Sequence, residues 1–207
     1  MASLLLWVQW NGPIDDAIWQ RLAARATARC RHRIVERSGP GYRLLARAAR
    51  ESEPDPLVER SLPEGRRELL LLDRANGPED VERGAVNSAP VAAHGSPAWD
   101  EKRLLDGTPT AAAALTLPGL EVTLTRDLMG QRNLVHATVP GGLLVASGED
   151  VLLAHPSVST DPDPLYLAAN FAALHWGHDE AAFRAIRAVA PGEILRFSAA
   201  GRSRRLV

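Results

Sequence analysis

Thiols and amines are scarce in this sequence. Cys30 is the only cysteine, so an intrachain disulfide and a four-sulfur zinc site are both ruled out, and a reducing cytoplasm is the expected compartment. Lys102 is the only lysine, leaving positive charge to 23 arginines. With the heavy use of Ala, Leu, Pro and Gly, that bias points to a GC-rich bacterial source. The formal net charge is -1, which provides no long-range attraction for nucleic acid or an anionic membrane, and neither partner is expected. Long hydrophobic runs are missing as well. Leu4 to Val8 is too short to cross a bilayer and lacks the basic flank and cleavage site of a signal peptide, so it reads as a buried first strand.

What is present fits an ordinary globular chain. The 207 residues, 45% hydrophobic and 24% charged, suffice for a single domain over residues 1–207 with a full core. Asn11-Gly12-Pro13 is a turn, and Asp15-Asp16 opens a helix with Ile18, Trp19, Leu22 and Ala26 on one face, ending before Arg31. Ser38 to Gly41 punctuates the chain, Tyr42 to Ala49 is apolar, and Glu51 to Pro63 reads as loop. Four consecutive leucines within Glu68 to Asp73 predict a fully buried strand. Residues 77 to 97 are poor in large apolar side chains and form the least ordered stretch on composition. Thr110 to Leu117, Leu120 to Thr125, Asn133 to Val139 and Gly142 to Ala146 are apolar runs divided by Pro118-Gly119, Met129-Gly130 and Pro140-Gly141, which predicts an antiparallel meander. Helices are expected at about 149–154, 164–174 and 180–188, with a last strand at Ile194 to Phe197. Strands with flanking helices make an α+β layered fold.

Three segments carry a resemblance. They are Arg126-Asp127-Leu128-Met129-Gly130-Gln131-Arg132-Asn133-Leu134, Gly142 to Ser147, and Phe183 to Glu193. In order and spacing they resemble R-D-x-x-G-x-R-P-L-Y, F-A-S-E-x-K-A-L and F-x-G-I-x-x-L-x-P-G of the asparagine synthetase family's amino-terminal glutaminase-type domain. Leu105-Asp106-Gly107 extends the match, and Asp73-Arg74-Ala75-Asn76 echoes a D-x-R-x-x-N segment. The resemblance implies a four-layer αββα sandwich of the Ntn hydrolase, class II glutamine amidotransferase type. It further implies Arg126, Asp127, Gly130, Arg132, Ala146, Ser147, Pro191 and Gly192 as motif residues. The family's nucleophile is a cysteine exposed as the new amino terminus, and here Ala2 occupies that place. Its R-G-P-D and N-G-E-I-Y-N motifs are not recognisable. Where it has Glu after Ala-Ser, this chain has Gly148 and then Glu149. Cysteine-less relatives include the β-lactam synthetases and the lasso-peptide macrolactam synthetases.

Each motif also has a plainer reading. Arg126-Asp127 suits a substrate contact or an ion pair and cap closing a strand connection; the second is preferred, with Arg132 as partner, because Asp accepts turn N–H groups and Gly130 permits the backbone. Ser3 is the nearest hydroxyl to the terminus, but a second cleavage would be needed to expose it. Cys30 lies among cations that would activate a thiol, yet it lacks an oriented base and reads as a solitary helix-end thiol. His155, His175 and His178 have no completing carboxylate or thiolate, so no metal is expected. Phe183 and Ile186 anchor a helix. Arg21, Arg25 and Arg29 share a helical face, read as solvated and paired with nearby acids.

The family's S-G-G-x-D-S pyrophosphate loop does not occur, so no adenylating domain is expected within these residues. The expectation is a catalytically degenerate domain without cofactor or catalytic residue, supporting an ATP-dependent amide- or lactam-forming synthetase on a separate chain, or self-associating. The alternatives are an Ntn-type amide hydrolase with an unrecognised nucleophile and an orphan binding module. Phe171, Leu174, Trp176 and Phe197 are the candidates for an exposed apolar face.

Overall fold

A computed structural model describes residues 4–28, 33–47, 57–74, 110–130, 132–172 and 179–206. The strands are β1 (Leu4–Gln9), β2 (Ile34–Gly39), β3 (Tyr42–Arg47), β4 (Leu57–Ser61), β5 (Arg67–Arg74), β6 (Thr110–Leu117), β7 (Glu121–Arg126), β8 (Val135–Val139), β9 (Gly142–Ala146), β10 (Arg187–Ala188), β11 (Glu193–Ser198) and β12 (Gly201–Leu206). The α-helices are α1 (Asp16–Thr27), α2 (Glu149–Leu152) and α3 (Pro164–Phe171). Ala2, Ser3, Cys30, Ala75-Asn76, the 77–97 segment, Leu105-Asp106-Gly107, Leu174, Trp176, His175 and His178 lie outside the described residues.

Two six-stranded antiparallel sheets form the body, in the orders β10-β8-β9-β1-β3-β2 and β12-β11-β7-β6-β5-β4. β1 is central in the first sheet, paired with β3 and β9, and this explains its unbroken apolar sequence. Its alternate residues serve two cores. Leu4, Leu6 and Val8 face the second sheet, against Leu69, Leu71, Ala113, Leu115, Leu124 and Leu195. Leu5 and Trp7 face the helical layer, where Trp19, Leu22 and Ala26 of α1 meet Val151 and Leu152 of α2. A side chain such as Leu stabilises by roughly 1.5–3 kcal/mol when fully buried, so both faces of this strand hold the sandwich together. α1 begins as expected, with the Asp15 carboxylate accepting the Ile18 N–H at 2.9 Å, a standard N-cap.

The second sheet packs its inner face on the first, giving the α+β sandwich anticipated from the sequence. β6 contributes alanines to both faces: Ala111 and Ala113 lie inside, while Ala112 and Ala114 join Leu70 in a small outer cluster. Among the described residues, the helices packed on β1 and β9 are α1 and α2, both on the first sheet.

Several expectations are corrected. The four-run meander is two hairpins in different sheets: β6–β7 belongs to the second and β8–β9 to the first. Local apolar runs and turns look the same whether successive hairpins share a sheet or not. The 180–188 helix does not form; its residues make turns, an isolated bridge from Phe183 to Pro162, and β10 paired with β8. Ile186 is still fully buried, from a turn rather than a helix. β4 occupies part of the predicted 51–63 loop, and β2 and β12 were not anticipated. All three are edge strands in which only Val35 is buried, so they lack an apolar signature. The arginines of β12 suit an edge, where charge discourages pairing with another chain. Phe197 is buried at 6% exposure, whereas Phe171 stands out at 88%.

Candidate functional site

The chain crosses from one sheet to the other between β7 and β8, and the Arg126 to Leu134 segment is that crossing. It lies at the end of the sandwich where β1 begins. Leu4 pairs with Ala46, Leu5 with Ala146, and the Ser147 N–H donates to the Leu4 carbonyl at 3.2 Å. Ala146 and Ser147 thus stand beside the start of β1, where the resemblance places a nucleophile.

Arg126 organises the crossing. Its Nη1 donates to the Val189 carbonyl at 2.9 Å and Nη2 to the Gly130 carbonyl at 2.5 Å, with Asn133 Oδ1 at 3.4 Å. Burial lowers its pKa from the usual guanidinium value, against the opposing pull of the Asp127 charge. Asp127 is almost wholly buried, and its Oδ1 accepts the Met129 N–H at 2.9 Å. That is the turn cap read from the sequence, since a short carboxylate two residues back satisfies a turn N–H. Arg132 is half-buried.

Two glycines make the crossing possible. Gly130 has φ 59°, and a Cβ there would stand 2.7 Å from Pro191 Cγ and 3.2 Å from Arg126 Nη2. Gly192 has φ 70° and donates its N–H to the Arg126 and Asp127 carbonyls at 3.1 and 3.2 Å. Pro191-Gly192 thus buttresses the crossing from the other side, while Val189 N donates to the Leu134 carbonyl at 2.8 Å. Ala146, fully buried, faces the helical layer.

Glu193 was missed as a site residue. It is fully buried; Oε2 accepts the Ala190 N–H at 2.7 Å, and Oε1 lies 2.5 Å from Arg204 Nε. The alternation Glu193, Leu195, Phe197 was the available signal, because it puts the carboxylate on the inward face. Glu149, one place beyond the family's glutamate position, accepts the Ala182 N–H at 3.1 Å. Burial raises its pKa, and that hydrogen bond works the other way. His155 packs edge-on against Trp7, its Nδ1 accepting the Ser157 N–H at 3.1 Å. Desolvation lowers its pKa, helped by Arg21 and opposed by Asp15. Arg25 meets Asp150 at 3.3 Å in an exposed pair, as a solvated face would.

At this end of the sandwich the polar groups hold backbone to backbone. Arg126, Asp127, Glu149 and Glu193 each bind main-chain atoms, fixing the crossing and the 180s segment around the start of β1. The resulting chemistry is scaffolding, a rigid rim for whatever occupies the strand's first residues.

Comparison with known proteins agrees with this architecture. Residues 118–206 match a family described as a glutamine amidotransferase domain, a stretch running from just before β7 through β12. A search of curated proteins gives no match. Among solved structures the chain is similar to the allosteric regulatory enzyme of purine biosynthesis, at 11% identity and a TM-score of 0.58, covering 100% of this chain and 49% of that one. It is also similar to glutamine phosphoribosylpyrophosphate amidotransferase from B. subtilis complexed with ADP and GMP, at 11% identity and a TM-score of 0.54, covering 98% and 49%. The chain spans about half the length of these solved structures. No described helix is long and apolar enough to cross a membrane. The fold is that of the Ntn-hydrolase glutamine amidotransferases, and residues 118–206 are similar to a glutamine amidotransferase domain.

Proposed function

We propose that this chain is a glutamine amidotransferase-type domain of the asparagine synthetase kind that no longer hydrolyses glutamine and instead supports an adenylating synthetase on a separate cytoplasmic chain. What supports the reading is the residue at the position that the resemblance aligns with the nucleophile: it is Ala2, and the one cysteine of the sequence, Cys30, comes after α1. Amide hydrolysis on this scaffold needs a thiolate, a free amino group as base, and donors aimed at the developing oxyanion. Ala2 supplies none of the first. The Ser147 N–H is given to Leu4, and the Arg126 guanidinium to the carbonyls of Val189 and Gly130, which commits two donors at this end to the fold.

A domain without its own chemistry acts through a surface. Leu165 and Phe171 on α3 are 66% and 88% exposed, and Leu165, Ala168 and Phe171 recur at helical spacing, so an apolar stripe faces outward. We assign the synthetase contact to this stripe. The reaction supported would be amide or lactam formation in which the substrate brings its own amine, as in the β-lactam and macrolactam synthetases, and no ammonia is required.

The test is co-expression with a neighbouring synthetase gene bearing S-G-G-x-D-S. A stable complex that Leu165→Ser/Phe171→Ser weakens at least tenfold supports the proposal. A chain that stays monomeric and binds no such synthetase overturns it.

A further inference from the structure

The two sheets end, on one side of the sandwich, in the same sequence. β2 reads Ile-Val-Glu-Arg-Ser from Ile34 and β4 reads Leu-Val-Glu-Arg-Ser from Leu57. Each is the last strand of its sheet among the described residues. They share a side because β8 meets β11 through the His136 and Phe197 rings and β1 contacts β5, which puts β2 and β4 together at the opposite margin. They also share a direction. Counting antiparallel steps from β1 to β2 and from β7 to β4, both begin at the end where the Arg126 crossing lies.

The repeated sequence is set in opposite phases of the pleat. Val35 pairs with Ala46 and Arg37 with Leu44, whose side chains face the second sheet, so Val35 and Arg37 lie on the face between the sheets. In β4 it is Leu57 and Glu59 that do so, paired with Leu71 and Leu69, while Val58 packs on the outer cluster with Leu70. This side of the sandwich therefore presents an apolar residue and an arginine from one sheet, and an apolar residue and a glutamate from the other. Arg37 is exposed, donates to the neighbouring Glu36 carbonyl at 3.0 Å and has no carboxylate partner among the described residues. Glu59 meets Arg67 at 3.3 Å in an exposed pair, a contact of small energetic weight.

We propose that this side is a docking surface for a second copy of the chain, β2 of each copy adding in parallel to β4 of the other. An edge strand offers main-chain donors and acceptors to an added strand, and a two-fold axis running along the strands sets the first sheet of each copy beside the second sheet of the other. Val35 then lies beside Leu57 of the second copy and Arg37 beside its Glu59, with Ser38 beside its Arg60 on the outer face. Opposite charges meet and like charges do not. An axis perpendicular to the sheets would instead join β2 to β2 antiparallel, and a ladder centred on the charged pair would set Glu36 against Glu36 or Arg37 against Arg37, which is unfavourable. β12, at the other margin, carries arginines and no acid, so it has no such match. The surface uses neither α3 nor the start of β1, and it stands whether or not the partner reading above does.

Sedimentation equilibrium of the full chain tests this. A monomer–dimer equilibrium is expected, weakened about tenfold or more by Arg37→Glu and by Glu59→Arg, since each change is felt twice across the axis and sets like charges side by side. The charge-swapped Arg37→Glu/Glu59→Arg chain should recover the wild-type affinity to within about threefold, because the two positions are coupled only between copies. Thermal melts of dilute monomer check that each variant is folded. Leu165→Ser/Phe171→Ser should leave the dimer unchanged, which separates this surface from the α3 stripe. A chain that is monomeric at every concentration overturns the proposal. So does a dimer that either single variant leaves intact, that the charge swap fails to restore, or that Leu165→Ser/Phe171→Ser dissolves.

Discussion

Replacing Arg126 by Met would keep the apolar stem and remove the guanidinium. In the structure that deletes the 2.9 Å and 2.5 Å bonds to the Val189 and Gly130 carbonyls and the longer contact with Asn133. A hydrogen bond to a charged group contributes ≈ 1.5–3 kcal/mol, so two would give roughly 3–6 kcal/mol. The Arg126 side chain is only half-buried, water can replace part of what is lost, and the lower end applies: about 3 kcal/mol. For a domain of this size 1 kcal/mol moves Tm by about 2–4 °C, so the variant should melt roughly 6–12 °C lower. Urea denaturation followed by tryptophan fluorescence is the assay, with an unchanged m-value showing that the native and unfolded ensembles are otherwise alike. Should Arg126→Met cost under about 1 kcal/mol, two carbonyl bonds at good distance would be worth no more than a surface pair. The guanidinium would then be free for a ligand, and the scaffolding account of the crossing would fail.

Other consequences can be measured in the same way. Gly130→Ala puts a Cβ at positive φ and 2.7 Å from Pro191 Cγ, and should cost about 1–3 kcal/mol in chemical denaturation; a neutral result would mean that the crossing can relax. His136 has its pKa lowered to about 4 by burial, with Arg202 and Arg187 lowering it further and Asp179 opposing. The unfolded histidine binds its proton first, so its contribution to stability is complete above about pH 6.5 and is lost as pH falls towards 4, by about 3 kcal/mol in all. His136→Phe should flatten that part of the stability–pH curve; a slope in this window identical to wild type would refute the assignment. Arg204→Gln strands the buried Glu193 carboxylate and should cost about 1–2 kcal/mol, discounted from the larger loss typical of fully buried pairs because Arg204 is half-exposed; Glu193→Gln in the same background should recover part of it.

How much of this was readable beforehand depended on burial. β1, α1, β5 and β9 were legible because two-sided or periodic burial writes itself into sequence: Leu4 to Val8 must be apolar at every position, and Trp19, Leu22 and Ala26 must recur at helical spacing. The edge strands β2, β4 and β12 were illegible for the converse reason, since one or both of their faces meet water and Ile34 to Gly39 or Gly201 to Leu206 need no pattern. The Arg126 to Leu134 motif was recognised as a connection, and its Asp127 cap and Gly130 backbone were read correctly. That it joins two sheets was not, because sheet membership is decided by long-range pairing with β11 and β1. Phe183 and Ile186 fit a helical period but were committed instead to a turn, where tertiary contacts with Pro162 and the helical layer outweighed local spacing. Glu193 and His136 each sit in an apolar strand on the inward face, and alternation alone would have marked both as buried polar groups.

The proposed loss of amide hydrolysis is tested most directly by glutamate release from glutamine. Purified chain with a verified amino terminus, alongside an Ala2→Cys variant, would be assayed against a buffer control. Release at the buffer rate from both is predicted, because covalent catalysis needs oxyanion donors and a substrate clamp as well as a thiol, and groups that act together do not contribute additively. Release above that rate from the wild-type chain, abolished by blocking its amino terminus, would contradict the account; turnover restored by Ala2→Cys alone would show an intact glutamine pocket beside the start of β1 and contradict it equally.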